Sequence, residues 1–92
     1  MILEDIEAKP KHNVLDKLID QRELILFNDD VNTFDHVINT LIKYCNHTAV
    51  QAEQCAHLVH YKGKCSIKLG SFDELRPMCE VLLEKGLSAE IE

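Results

Sequence analysis

Leu24-Ile25-Leu26-Phe27-Asn28-Asp29-Asp30 sets four apolar residues directly before an amide and two carboxylates. The nearly continuous apolar run predicts a strand over residues 22–27, either central in its sheet or covered on both faces. Its polar end puts acceptor groups at the rim of a core. That rim suits a small cation: a metal ion, a lysine side chain or the free amine of a peptide.

Outward from this stretch, Asn32 reads as an N-cap, with Asp35 placed where a carboxylate favours a helix N-terminus. Phe34, Val37, Ile38, Leu41, Ile42 and Cys45 recur at helical spacing as a broad stripe expected to be buried. Asn46-His47 ends that helix. Thr48 and Gln51 form a T-x-x-Q capping box for a second helix, which Lys62 and Gly63 close. The two-residue link predicts a tight helical hairpin. Residues 64–69 alternate polar with apolar, as a half-buried strand does. Gly70 breaks the strand, and Ser71 with Glu74 opens a third helix through a second capping box. Pro77 lies inside that helix, which predicts a shifted start or a bend. Gly86 ends it, and residues 87–91 form a short last strand.

The expected fold is therefore α+β, a two-layer sandwich in the order β-α-α-β-α-β, with a three-stranded sheet packed against three helices. Residues 22–92 form the core domain. Residues 1–21 are mostly polar around Pro10, with one or two helical turns at Val14, Leu15, Leu18 and Ile19, and read as a flexible N-terminal extension.

Ninety-two residues with ordinary hydrophobicity make one globular domain. A net charge of -6 argues against nucleic acid and is compatible with a cationic ligand. Met1-Ile2-Leu3 runs at once into Glu4, Asp5 and Glu7, unlike a secretory leader. No apolar run is long enough to span a membrane. Cys45, Cys55, Cys65 and Cys79 contain no C-x-x-C pair, so the expectation is a reduced, cytoplasmic protein with cysteines as small core residues.

Asn28-x-Asp30-x-Asn32 begins like a calcium loop, but Thr33 stands where glycine is needed and Asn39 where a bidentate Glu is needed. His57 and His60 share a helix face but make only two metal ligands. A Cys55–His60 pair is conceivable as a nucleophile, yet no nucleophile elbow or phosphate-binding glycine loop accompanies it. No cofactor is implied.

Asn28-Asp29-Asp30 before one helix, and His60-Tyr61-Lys62-Gly63-Lys64 at the end of the helical hairpin, together resemble the ClpS family over residues 22–92. That family has no catalytic activity. The resemblance implies an adaptor that binds the free N-terminal residue of N-end-rule substrates, an N-degron beginning with Phe, Tyr, Trp or Leu. The adaptor then delivers the substrate to the N-terminal domain of a ClpA- or ClpC-like AAA+ unfoldase of the Clp protease. By position, Asn28, Asp29 and His60 would hold the α-amino group, three acceptors for three ammonium donors. Asp30 and Asn32 would support the motif and the ligand backbone. The side-chain pocket maps to Phe34, Val37, Ala56, Val59 and Leu87. Phe34 and Ala56 replace methionines of the family pattern, Asn32 a threonine and Thr33 a proline, so the pocket is expected to be reshaped.

Two alternatives stay open. One is a docking module of the same architecture without amine specificity, since the element order also resembles the C-terminal domain of a ribosomal stalk protein. The other is a small Cys/His metal-binding protein or enzyme.

Overall fold

The computed structural model describes residues 20–92. The order is β1 (Arg22–Phe27), α1 (Phe34–Tyr44), α2 (Ala49–Lys62), β2 (Lys64–Gly70), α3 (Phe72–Glu84) and β3 (Ser88–Ile91). This is the expected two-layer sandwich. The expected N-terminal extension lies outside the described residues, apart from Asp20 and Gln21.

The apolar stretch forms the middle strand of an antiparallel sheet ordered β2-β1-β3. Leu24 and Leu26 point into the core cluster with Leu41, Cys45, Ala52, Cys55, Leu75 and Leu82. Ile25 lies on the alternate face and is also buried, although outside that cluster. This accounts for a run without polar alternation. β2 and β3 are the two edges of the sheet.

β2 departs from simple alternation. Leu24 pairs with Lys68 and Ile25 with Ser66, so Ile67 is the unmatched residue of a bulge. Ile67 is buried, but Leu69, expected on the same face, is 65% exposed. The Ile67 carbonyl accepts from the Nε2–H of His47 at 3.1 Å, which pins the α1–α2 turn onto the bulge.

The helix ends follow from local chemistry. Thr48 with Gln51 and Ser71 with Glu74 both form reciprocal capping boxes. The cap of α1 is Thr33, whose hydroxyl accepts from the His36 N–H at 3.1 Å, and not Asn32. Asn32 is withdrawn because its side-chain amide bonds to Asp29 and to the Gly86 carbonyl. Ser71 caps α3 directly, so its start is not shifted by Pro77. Pro77 and Asp73, whose carbonyl it cannot serve, are both exposed, where water is at hand. The Phe72 N–H at this end donates to Asp20 at 3.1 Å, and this bond holds the Asp20 carboxyl below its usual range.

The three sheet-to-helix junctions meet at one end of the sandwich. Phe27, the last residue of β1, pairs with Lys64 on one side and Ser88 on the other. The end of β1 therefore lies beside the start of both neighbours. The C-termini of α2 and α3 feed those strands, and α1 begins just beyond β1. Gly63, at φ 92, ends α2 in the left-handed region one residue before β2. Gly86, at φ 88, likewise ends α3 in the left-handed region, two residues before β3. Its N–H bonds to Leu83 O at 3.0 Å, and Leu87 N–H bonds to Leu82 O at 2.9 Å, a Schellman closure that fixes Leu87.

Leu82 is fully buried, and Leu82→Ala should cost about 2–5 kcal/mol by urea denaturation. Gly63→Ala meets no atom within 4 Å, so its cost should be the backbone penalty alone, about 1–2 kcal/mol. A cost for Gly63→Ala equal to that for Leu82→Ala would contradict this ordering.

Candidate functional site

Where the three junctions meet, a cavity of about 340 Å³ opens between the β1–α1 loop, α2 and the α3–β3 turn. All ten residues singled out in the sequence line it: Asn28, Asp29, Asp30, Asn32, Phe34, Val37, Ala56, Val59, His60 and Leu87. Leu26 and Phe27 line it as well. Sequence reading assigned those two only to the strand, although their position directly before Asn28 was the available signal.

The two sequence blocks are joined by a backbone bond. Asn28 N–H donates to the Gly63 carbonyl at 2.9 Å. The turn that ends α2 is thereby fastened to the loop after β1, and His60 is carried to the mouth of the cavity.

Asp29 organises the loop. Its Oδ1 accepts from the N–H groups of Val31 and Asn32, both at 2.9 Å. The Asn32 amide Nδ2 donates to Oδ1 at 3.1 Å and to Oδ2 at 2.9 Å. It donates also to the Gly86 carbonyl at 2.8 Å, and Ser88 Oγ–H reaches Oδ2 at 3.5 Å. Asn32 thus ties the β1–α1 loop to the turn that carries Leu87. Partial burial pulls the Asp29 carboxyl upward, but the donors from Asn32, Val31 and Ser88 outweigh it and hold the group below its ordinary value.

Asp30 differs. It is exposed, lines the same cavity, and has no hydrogen bond or ion pair among the described residues. The Asn28 side chain is likewise without a partner there. The rim therefore holds one carboxylate engaged by the loop, one carboxylate with open lone pairs, one amide and one imidazole. No Lys or Arg among the described residues lines the cavity. Val37, Ala56, Val59, Leu26 and Leu87 supply apolar wall.

Phe34 was expected within a buried helix stripe, but it is 41% exposed and belongs to the cavity mouth. His57 and His60 flank its ring, with centroids at 5.2 and 5.3 Å. Ile42, expected in the same stripe, is exposed as well, as are Val50 and Leu58 on α2.

The pairing of Cys55 with His60 does not form. Cys55 lies in the core cluster beside Cys65, and burial pushes its thiol up, away from the thiolate a nucleophile needs. Burial likewise raises Cys45 to about 11. All four cysteines are free thiols. Among the described residues, no three His, Cys, Asp or Glu side chains are grouped to hold a metal ion.

Comparison with known proteins agrees with this architecture. Residues 19–90 match the family described as ATP-dependent Clp protease adaptor protein ClpS. The ClpS adapter protein of Thermosynechococcus vestitus is 37% identical over 67 residues, covering 72% of this chain and 71% of its own. That of Acetivibrio thermocellus is 33% identical over 85 residues, covering 92% and 84%. The structure of Agrobacterium tumefaciens ClpS2 bound to L-phenylalaninamide superposes with a TM-score of 0.68 at 16% identity, over 79% of this chain and 95% of that one.

The Asp29 network carries a pH signature. A carboxyl lowered by folding adds stability above its ordinary value of 3.8, and that contribution is lost as pH falls through the depressed folded value. An NMR titration of the Asp29 carboxyl carbon should give a midpoint below 3.8. Asp29→Ala should remove this acid dependence and lower unfolding free energy by about 1–3 kcal/mol, since it leaves the loop donors without their acceptor. A midpoint above 3.8 would contradict the network.

Proposed function

We propose that this chain, which belongs to the ClpS family of Clp protease adaptor proteins, binds the free N-terminal residue of a substrate polypeptide in the cavity at the end of β1. The observation that carries the reading is the composition of one cavity. Its rim offers two carboxylates, amide oxygens and an imidazole, its walls are apolar, and no Lys or Arg among the described residues lines it. A ligand with an ammonium group next to a bulky apolar side chain matches both parts. L-phenylalaninamide, the molecule bound by the Agrobacterium neighbour, has that same pairing, which supports the reading.

In this mechanism the Asn28 side-chain oxygen and an unprotonated nitrogen of His60 accept from the α-ammonium. Asp29 supplies fixed negative charge from within the loop. Asp30, with both oxygens open, accepts the remaining donor directly or through water. The Asn32 amide nitrogen is already engaged, so only its oxygen is left to accept from the first peptide N–H. The first side chain enters among Phe34, Val37, Ala56, Val59 and Leu87, where burying apolar area contributes about 25 cal/mol per Å². A bulky first residue such as Phe, Tyr, Trp or Leu gains most from this. The adaptor role implies no bond making or breaking by this chain. The bound protein is then passed, in the cytoplasm, to a ClpA- or ClpC-like AAA+ unfoldase.

Fluorescence anisotropy with a Phe-first peptide, free and N-acetylated, tests this. Removing the ammonium should cost about 2–5 kcal/mol, roughly a thirtyfold or greater rise in Kd. Asp30→Asn should weaken the free peptide by about 1–3 kcal/mol and leave the acetylated one unchanged. Equal binding of both peptides to the wild-type protein would rule out amine capture and favour a docking module of the same fold.

A further inference from the structure

Two residues outside the cavity stand against the two rings at its mouth. Phe34 is the first residue of α1, 41% exposed, and is not part of the core cluster. His60 is exposed, and its ring makes no hydrogen bond with any described residue. Neither the core cluster nor a hydrogen bond to a described residue therefore fixes these two rings. Both rest against other rings. Phe34 meets His57 at 5.2 Å, tilted by 58°, and His60 at 5.3 Å in a T-shaped pair. Tyr61 forms a T-shaped pair with His60 at 4.8 Å and lies parallel to His57 at 6.1 Å. The contacts close a cycle, Phe34–His57–Tyr61–His60. Phe34 and His60 line the cavity; His57 and Tyr61 do not.

We propose that His57 and Tyr61 are positioning residues with separate effects: Tyr61 orients His60 and so sets affinity for the amine, whereas His57 holds Phe34 and so sets discrimination among first side chains. The inference rests on reading the cavity as an amine and side-chain site. Its physical basis is that ring pairs at these separations prefer edge-on or offset geometries, with energies large enough to bias a rotamer but too small to hold up a fold. The T-shaped contact of Tyr61 is with the imidazole that faces the amine, common to every ligand. The contact of His57 is with the phenyl ring at the pocket mouth, which only the side chain passes. Tyr61 is 74% exposed, so removing its ring leaves the core intact.

The test measures Kd for Phe-first and Leu-first free-amine peptides with wild type, Tyr61→Ala, Tyr61→Phe, His57→Ala and His57→Phe, with thermal melts as a check on folding. Tyr61→Ala should weaken both peptides by the same factor, about three- to tenfold, and Tyr61→Phe should restore wild-type affinity. His57→Ala should change the Phe-to-Leu Kd ratio by about threefold or more, and His57→Phe should restore it. A changed ratio in Tyr61→Ala, an unchanged ratio in His57→Ala, or failure of either phenylalanine variant to rescue would overturn the assignment. Wild-type protein that bound neither peptide would overturn the amine site itself, a result distinct from those.

Discussion

The site depends on one bond between two turns, Asn28 N–H to Gly63 C=O. It exists because Gly63 adopts φ 92, which lets α2 stop and β2 start without an intervening loop. A longer connection would leave the Gly63 carbonyl free to drift from the end of β1. With the connection this short, pairing of Phe27 with Lys64 and the bond from Asn28 form one continuous ladder. The histidine three residues before the glycine is then fixed in height relative to the Asn-Asp-Asp loop. Sheet register, not side-chain attraction, brings the imidazole to the carboxylates.

A second tie acts across the other wall. Asn32 spans from Asp29 to the Gly86 carbonyl, and the Schellman closure at Gly86 fixes the adjoining Leu87. Loop and turn are therefore coupled, and a shift in one moves the other. The same bonds define the division of labour between the two aspartates. Asp29 is held in a frame of donors, and Asp30 is left open toward the cavity. Two adjacent identical residues thus differ in surroundings: Asp29 accepts from the loop's donors, and Asp30 from no described residue.

Most of the fold was legible because its punctuation is strong. Both capping boxes, the two glycine stops and the central apolar run are local signals, and each formed where the residues indicated. The shortfalls are places where a tertiary contact outcompeted a local preference. Asn32 is a good cap by type, but the Asp29 carboxylate and the Gly86 carbonyl claimed its amide, leaving the cap to Thr33. Leu69 fits an alternating strand until the Ile67 bulge changes the register, and a bulge has no fixed signature in side-chain pattern. Phe34 fits a buried stripe by spacing, yet lies at the first turn, where helix and core have parted. The site residues were reached through a family resemblance, which brought two distant blocks together. Spacing alone carried no information on how near they would be, nor that Asp29 would be engaged while Asp30 stayed open.

Among the described residues the sheet has two edges, β2 and β3, and such edges are open to pairing with another extended chain. Here Lys64 and Lys68 punctuate one edge and Glu90 the other, and the bulge at Ile67 breaks the flatness that strand addition requires. An extended chain is thereby discouraged from zippering onto the sheet. At the end of β1 the cavity offers a concave surface instead, lined by apolar and acidic side chains. Strand addition at either edge would have to bury a charged side chain or undo the bulge, which is how a sheet of only three strands discourages a fourth.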